Sequence, residues 1–185
     1  MKNGSTTITQ RRGNHGDHTS TSTAKPNIHG KKLMCIWWDQ LGVVYYELFK
    51  PDETITGTLY RIQLMRLSRA LKEKRAHYYS RHDKIILLRD NARPHVAAPV
   101  KIYLETLKWE VLSHPPYSPD IAPSDYHLFR SMMHGLSEPH FTSYEDTKNC
   151  IDDWIASKDE AFFRGIHMLS ERWEKVMASD GHYFE

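Results

Sequence analysis

Two repeating patterns of apolar residues divide most of the chain into predicted strands and helices. The continuous apolar run over residues 33–38 predicts a strand that is covered on both faces. Residues 43–49 predict its partner, because turn-forming residues at 39–42 join the two runs as a hairpin. Apolar positions then recur at helical spacing over residues 56–75, and the branched aliphatic run 85–88 predicts a short buried strand.

The second half of the chain predicts more helices and one more strand. Residues 96–107 show helical spacing and the strand-like run 109–112 follows, which with the preceding strand predicts a right-handed βαβ unit. Ser124 is placed to cap a further helix, a capping box is predicted to begin at Ser143, and a last helix is predicted near 170–178. These elements predict an α/β domain that ends in helices.

The first 32 residues differ in composition from the rest of the chain. The total of 185 residues suits one domain. Its 25 Lys and Arg residues against 23 Asp and Glu residues give a formal charge of +2, which does not by itself indicate a nucleic-acid binder. Residues 1–32 are polar and contain no Phe, Trp or Tyr, so they are predicted to be disordered. Residues 33–185 are predicted to form the folded domain.

The cysteine count and the hydropathy pattern exclude several classes of protein. Cys35 and Cys150 are too few for a disulfide framework, and no Cys-x-x-Cys pair indicates structural zinc. No apolar run approaches the ~18 residues that a membrane helix needs. We therefore expect a soluble, intracellular protein that binds neither a membrane nor a small-molecule cofactor.

Two aspartates stand where an α/β sheet gathers functional groups. Asp90 directly follows the predicted strand 85–88, at the carboxyl end where side chains leave the packed core. Asp125 lies in the first turn of the helix after Ser124, where the helix dipole favours an ionised carboxylate. Two converging carboxylates would suit Mg²⁺ or Mn²⁺. The residues alone leave ordinary alternatives open, a turn former at Asp90 and a helix cap at Asp125.

The predicted helix 56–75 has a positively charged face. The basic residues that we select from it as candidate DNA contacts are Arg61, Arg66, Arg69, Lys72 and Arg75. Such a row is suited to the phosphates of nucleic acid. The solvated face of an ordinary helix is the alternative.

Two motifs at a fixed interval resemble the catalytic domain of mariner-family DNA transposases. The first is Asp-Asn-Ala-Arg-Pro-His at 90–95, and the second is Tyr-Ser-Pro-Asp-Ile-Ala-Pro-Ser-Asp-Tyr-His-Leu-Phe at 117–129. Asp90 and Asp125 are separated by 34 residues, the interval between the second and third acids of mariner enzymes. The resemblance spans about residues 20–185 and extends to the transposase half of proteins that fuse a SET domain to a mariner sequence.

This resemblance implies an RNase H-like fold of the retroviral-integrase kind. It also implies that Asp90 and Asp125 are two of three acids that hold two Mg²⁺ or Mn²⁺ ions. Such a centre promotes in-line attack on a phosphodiester bond, which in this family serves DNA cleavage and strand transfer. The partners implied are DNA, namely transposon ends and a TA target step, and a second copy of the chain. The location implied is the nucleus.

The sequence departs from the family pattern at the first acid. In the family this acid lies on the central strand, upstream of the hairpin, whereas the only upstream acid here is Asp17 in a polar segment. Asp39 and Asp120 are interpreted as turn residues, and Arg89 stands where the family has His, next to Asp90. The family's N-terminal helix-turn-helix modules are also missing. We therefore expect an RNase H-like domain that lacks its first central strand, is marginally stable or needs a partner chain, and holds metal weakly.

Three functional hypotheses remain open. The leading one is a truncated mariner catalytic domain that is a transposase by descent and does not cleave DNA unaided. The second is a domesticated DNA-binding or dimerisation module that uses the basic helix. The third is a transposon relic without activity. Nicking of DNA would favour an active enzyme, and salt-dependent binding without nicking would favour the second hypothesis.

Overall fold

The protein is built around a five-stranded mixed sheet. The computed structural model describes residues 6–15, 32–49, 53–80, 85–115, 121–135 and 143–178. The strands are β1 Thr6–His15, β2 Lys32–Asp39, β3 Gly42–Phe49, β4 Ile85–Arg89 and β5 Glu110–Ser113. They lie in the order β3-β2-β1-β4-β5. The pairs β1–β2 and β2–β3 are antiparallel, whereas β1–β4 and β4–β5 are parallel.

The centre of the sheet is occupied by β1, which corrects the sequence prediction. Residues 6–15 were expected to be disordered and the fold to lack its first central strand; both expectations are wrong for this segment. The segment begins Thr-Thr-Ile-Thr, and β-branched residues favour strands. The prediction considered only the small number of apolar residues in the segment. It did not take into account the main-chain hydrogen bonds that β2 and β4 make with this strand on either side. The prediction of marginal stability assumed that β2 and β4 lack a neighbouring strand, and β1 supplies that neighbour.

Helices connect and flank the strands. They are α1 Gly57–Lys74, α2 Ala76–Ser80, α3 Ala98–Leu107, α4 Arg130–Gly135, α5 Tyr144–Ala156, α6 Glu160–Phe163 and α7 Met168–Ala178. The π-helical segment Ser124–Phe129 leads directly into α4, and a 3₁₀ turn, Arg164–His167, joins α6 to α7. Within these described elements, no helix combines the length and the apolar character needed to cross a membrane.

Two apolar clusters pack on the two faces of the sheet. On one face, α1 and α3 pack against a cluster that includes Trp37 of β2 and Leu87 of β4. On the other face, Trp38 packs with Leu128 of the π-helical segment and Trp154 of α5. The neighbours Trp37 and Trp38 are both fully buried and belong to different layers, as strand alternation requires. The prediction that this strand is covered on both faces is confirmed.

The turn between β2 and β3 follows the predicted hairpin chemistry. A carboxylate oxygen of Asp39 accepts a hydrogen bond from the Leu41 N–H at 2.8 Å. Gly42 has a φ of 130°, a backbone conformation that favours glycine. Asp39 is thus confirmed as a turn residue.

The predicted helix starts are partly confirmed. The capping box at the start of α5 is present: the Asp146 N–H donates to Ser143 Oγ at 3.0 Å, and the Ser143 N–H donates to Asp146 Oδ2 at 3.1 Å. The assignment of Ser124 as a helix cap is wrong, because Pro123 holds that position. The buried Ser124 hydroxyl instead accepts a hydrogen bond from Trp38 Nε1 at 3.0 Å. A buried indole N–H needs such an acceptor.

Candidate functional site

A row of paired residues crosses four strands where β4 approaches its end. Trp38 pairs with Thr9, Thr9 with Leu88, and Leu88 with Leu112. Adjacent strands are ~4.8 Å apart, so the backbones of Trp38 and Leu88 lie on the order of 10 Å apart. Since Ser124 is bonded to Trp38, this row brings the start of the π-helical segment near the end of β4.

Asp90 lies at the carboxyl end of β4, as predicted. Its side chain is 48% exposed, and Oδ1 accepts a hydrogen bond from the Ala92 N–H at 3.0 Å. The same oxygen contacts Nδ1 of His95. Arg89, which precedes this aspartate, donates from Nη1 to the Asp90 main-chain carbonyl at 3.2 Å. Asp90 therefore forms the turn after β4 and keeps half of its side-chain surface open to solvent.

The buried imidazole of His95 contacts the Asp90 carboxylate, a role that the sequence did not predict. The imidazole is 3% exposed, and its ring centroid lies 4.2 Å from that of Tyr60 on α1. Tyr60 is itself fully buried, and this burial raises the pKa of its hydroxyl. The hexapeptide at 90–95 contained the histidine, but its contact with α1 depends on the packing of distant segments and leaves no local signal.

Asp125 lies in the first turn of the π-helical segment, next to Ser124. Its main-chain N–H donates to the Ala122 carbonyl at 2.8 Å, and its side chain is half-buried. The segment packs against β1, with Trp38 of β2 holding Ser124 in place. Asp125 and Asp90 thus lie in the same region of the sheet, Asp90 at the end of β4 and Asp125 above β1 and β2.

The described residues do not fit the three-acid centre that the resemblance implies. β1 reads Thr-Thr-Ile-Thr-Gln-Arg-Arg-Gly-Asn-His and so carries no acid. In the part of the chain that the structure describes, no group of three or more His, Cys, Asp or Glu side chains is arranged to hold a metal ion. Asp17 and Asp120 lie outside the described residues. The roles of Asp90 and Asp125 as metal ligands remain predictions.

Four of the five candidate DNA-contacting residues lie exposed on α1. One of them, Arg66, contacts Glu47, and the other three are Arg61, Arg69 and Lys72, which recur at helical spacing. The only acid on α1 is Glu73. Arg61 directly follows Tyr60, whose ring packs at a tilted angle against His95, the residue that contacts Asp90. These three cations therefore share the exposed side of α1.

The other two candidates, Arg66 and Arg75, are held by carboxylates. Arg66 Nη1 lies 2.6 Å from Glu47 Oε1, although the arginine side chain is 52% exposed. The Arg75 side chain is only 11% exposed; its Nε and Nη2 donate to the two oxygens of the fully buried Asp39 at 2.8 and 3.0 Å. Arg75 therefore forms a structural ion pair that joins the hairpin to the end of α1. It is not part of the exposed row formed by Arg61, Arg69 and Lys72.

Glu47 accepts hydrogen bonds from three side chains on two elements. Burial opposes its ionised form, but the donors Tyr45, Gln63 and Arg66 outweigh burial and lower the pKa of Glu47 below its ordinary value. The Gln63 amide donates at 2.9 Å. A lowered pKa in the folded state stabilises the protein above the unfolded-state pKa, and this contribution is lost as the pH falls through the folded-state pKa.

We predict that Glu47→Gln reduces the loss of stability in acid. Between neutral pH and about pH 3, the free energy of unfolding should fall more for the wild type than for the variant. Protonation of Glu47 weakens its charge-assisted hydrogen bonds, whereas a glutamine at this position is uncharged at every pH. Urea unfolding at several pH values measures the difference. The exposed Glu105→Gln is the control, and an equal acid sensitivity of Glu47→Gln and wild type would contradict the prediction.

One cavity lies apart from the two candidate acids. It has a volume of about 660 Å³ and lies between α7 and the sheet, lined by residues that include Leu112, Ile166 and Trp173. Neither candidate acid is among the residues that line it. This cavity is therefore a gap between α7 and its neighbours, and we assign no catalytic role to it.

The sheet order, the helices on both faces, and the acids at a strand end and a helix start define an RNase H-like α/β domain. This class of fold was predicted from the sequence and is confirmed. Residues 9–81 match the family model described as "Transposase (partial DDE domain)". The chain belongs to the mariner family of transposases and corresponds to its catalytic domain.

Two relatives show how much of a longer protein the chain represents. It is 57% identical over 168 residues to the Mariner Mos1 transposase of Drosophila mauritiana, covering 90% of this chain and 49% of that protein. It is 38% identical over 163 residues to the histone-lysine N-methyltransferase SETMAR of Homo sapiens, covering 87% of this chain and 24% of that protein. The chain spans half or less of these relatives.

Solved structures of Mos1 share the fold closely. The crystal structure of the catalytic domain of Mos1 mariner transposase superposes with a TM-score of 0.86 at 50% identity, covering 97% of this chain and 84% of that one. The Mos1 catalytic domain with raltegravir and Mn gives a TM-score of 0.87. The Mos1 paired end complex with Mn gives 0.84 and covers 97% of this chain and 56% of that one. Divalent metal is therefore used within the family.

Proposed function

We propose that this chain is a mariner catalytic domain that binds DNA as a homodimer and does not cleave it unaided. The observation that carries the proposal is the absence of any acid from β1, the central strand, while Asp90 after β4 and Asp125 in the π-helical segment are present. Two metal ions that clamp attacking and leaving oxygens need a full set of oxygen ligands. The pair supplies too little negative charge for this.

DNA binding is supported by the exposed row on α1. Arg61, Arg69 and Lys72 present exposed cationic side chains on α1, whereas Arg75 is held by the buried Asp39. Phosphate contacts position a protein on DNA without reading its sequence. The Mos1 relatives include paired end complexes and a strand transfer complex, which motivates transposon-end DNA, a second copy of the chain and a nuclear location as parts of the proposal.

A nicking assay tests whether cleavage is absent. We expect the wild type to leave supercoiled plasmid intact in both Mg²⁺ and Mn²⁺, at the level of the double variant Asp90→Ala/Asp125→Ala. The physical reason is the missing third carboxylate. Nicking that depends on Mn²⁺ and disappears in each single alanine variant would show an active nuclease and refute this part of the proposal.

The salt dependence of DNA affinity tests the proposed surface. Each lost phosphate contact lowers the slope of log K against log salt by ~0.9, so the triple variant Arg61→Ala/Arg69→Ala/Lys72→Ala should lose about 3 units of slope and bind more weakly. Fluorescence anisotropy with a duplex at several salt concentrations measures this. Arg164→Ala, at an exposed arginine paired with Glu160, is the matched control and should keep the wild-type slope. A triple variant that matches the control would exclude α1 as the contact surface.

A further inference from the structure

A groove follows the outer edge of β3, and its two walls belong to opposite faces of the sheet. Residues 43–46, four successive residues of β3, line a space of about 570 Å³ together with side chains of α1 and α5. Successive side chains of a strand point to opposite faces, so a space that all four of them share lies at the edge of the strand. We call this space the β3 edge groove.

The floor of the β3 edge groove offers main-chain hydrogen-bonding groups to a further strand. β3 stands at the end of the sheet order, and among the described strands it pairs only with β2. Every second residue of an end strand directs its N–H and C=O groups away from the neighbouring strand. An extended segment that lies in the groove can therefore pair with β3, which is the binding mode called β-augmentation.

The wall that α1 contributes is positively charged. Its charged residues are all exposed, three of them basic and one acidic: Arg66, Arg69, Lys74 and Glu73. Arg66 contacts Glu47, yet its side chain keeps 52% of its surface exposed. Even with Glu47 counted, the basic residues of this wall outnumber the acidic ones by three to two. This wall therefore favours acidic side chains in a bound segment.

The wall that α5 contributes presents apolar surface and a carboxylate that is already paired. Asp152 accepts hydrogen bonds from the Tyr46 hydroxyl and, at 2.7 Å, from Lys148 Nζ. Ile155 of α5 and Val43 of β3 pack against the apolar cluster on this face of the sheet. A side chain of a bound segment that points towards α5 therefore meets mainly apolar groups.

Charge disfavours a second copy of the chain as the occupant of this groove. Two identical edge strands that pair about a two-fold axis run antiparallel, which sets the same face of both sheets side by side. The α1 wall of one copy would then adjoin the α1 wall of the other, and their like charges would repel each other. The homodimer proposed above therefore uses another surface.

We propose that the β3 edge groove binds an extended peptide of a partner protein, in which acidic residues alternate with apolar residues. Alternation directs the acidic side chains to the α1 wall and the apolar ones to the α5 wall, while the main chain pairs with β3. Because Arg69 belongs both to the groove and to the exposed row on α1, a bound peptide and DNA on that row would compete. The inference does not require that the chain binds DNA.

Fluorescence anisotropy with labelled heptapeptides tests the proposal. A peptide that alternates Glu and Val should bind. A peptide with the same residues in two blocks should bind at least about tenfold more weakly, because it cannot direct all its acids to one wall. N-methylation of every second residue removes the hydrogen-bond donors on one edge of the peptide. Methylation of one alternate set should abolish binding, and methylation of the other set should leave it intact.

Charge reversal on the protein gives the matched test. The variant Arg69→Glu/Lys74→Glu should bind the alternating peptide at least about tenfold more weakly than wild type. The control Lys101→Glu/Lys108→Glu makes the same change in net charge at exposed positions outside the groove, and it should bind as wild type does. Circular dichroism establishes that each variant is folded. If the groove variant does not fold, Arg69→Gln/Lys74→Gln replaces it and should also bind more weakly.

Four results would overturn the proposal. They are equal binding of the alternating and block peptides, unchanged affinity after methylation of either set, a groove variant that binds as the control does, and a concentration-dependent dimer that the groove variant abolishes. The last result would assign the groove to a second copy of the chain. DNA binding that depends on Lys74, without any peptide binding, would assign it to nucleic acid and equally overturn the proposal. Because the readout is peptide binding, its failure is distinct from failure of the nicking prediction.

Discussion

Replacing Arg75 with methionine is expected to lower the free energy of unfolding by about 3–5 kcal/mol, because it leaves a buried charge without its partner. Asp39 is fully buried, and both of its carboxylate oxygens accept from the Arg75 guanidinium, at 2.8 and 3.0 Å. In the variant, the carboxylate keeps the Leu41 N–H but loses its counter-charge. Urea unfolding followed by tryptophan fluorescence measures the loss.

A double-mutant cycle separates the ion pair from the lost arginine packing. Asp39→Asn/Arg75→Met should recover much of the stability, because neither charge then remains buried alone. Arg69→Met, on the exposed side of α1, should stay within about 0.5 kcal/mol of the wild type. If Arg75→Met cost no more than Arg69→Met, the pair would be a surface contact, and Arg75 would return to the set of candidate DNA contacts.

Features with local causes were predictable from the sequence. The hairpin of β2 and β3 follows from two apolar runs around Asp39 and Gly42, and its turn has the expected bond. The unit formed by β4, α3 and β5 follows from a change of apolar period, although α3 begins at Ala98, two residues after the predicted start. In each case, residues close in sequence determine the conformation.

Features that depend on distant partners were not predictable. Residues 6–15 have little apolar surface, and they form a strand because β2 and β4 present unpaired hydrogen-bonding edges to them. The local sequence around Ser124 is that of a cap, but the Trp38 indole 86 positions away takes its hydroxyl as an acceptor. The acids Asp90 and Asp125 were found by their interval and motifs, whereas His95 needed the packed position of α1 to acquire a role.

Substituting alanine for Gly57, at the start of α1, is expected to destabilise the fold by about 1–3 kcal/mol, as overpacking does. A Cβ atom at position 57 would lie 2.5 Å from Ala97 Cβ and 3.6 Å from the Pro94 carbonyl oxygen. Since Ala97 Cβ is fixed to the main chain, α1 and the segment after β4 must move apart. That movement would also separate Tyr60 from His95, whose ring centroids lie 4.2 Å apart. Urea unfolding measures the loss.

A compensating variant shows whether this close approach is the cause. Ala97→Gly removes the atom that a Gly57→Ala side chain would meet, so the double variant should regain most of the lost stability. Ala97→Gly alone should cost little, because position 97 is the N-cap of α3, where glycine is preferred to alanine. A Gly57→Ala variant as stable as wild type would mean that the contact can relax. Full rescue by the double variant would show that α1 and the Asp90 turn are held together by direct main-chain packing, which fixes the basic row relative to the candidate acids.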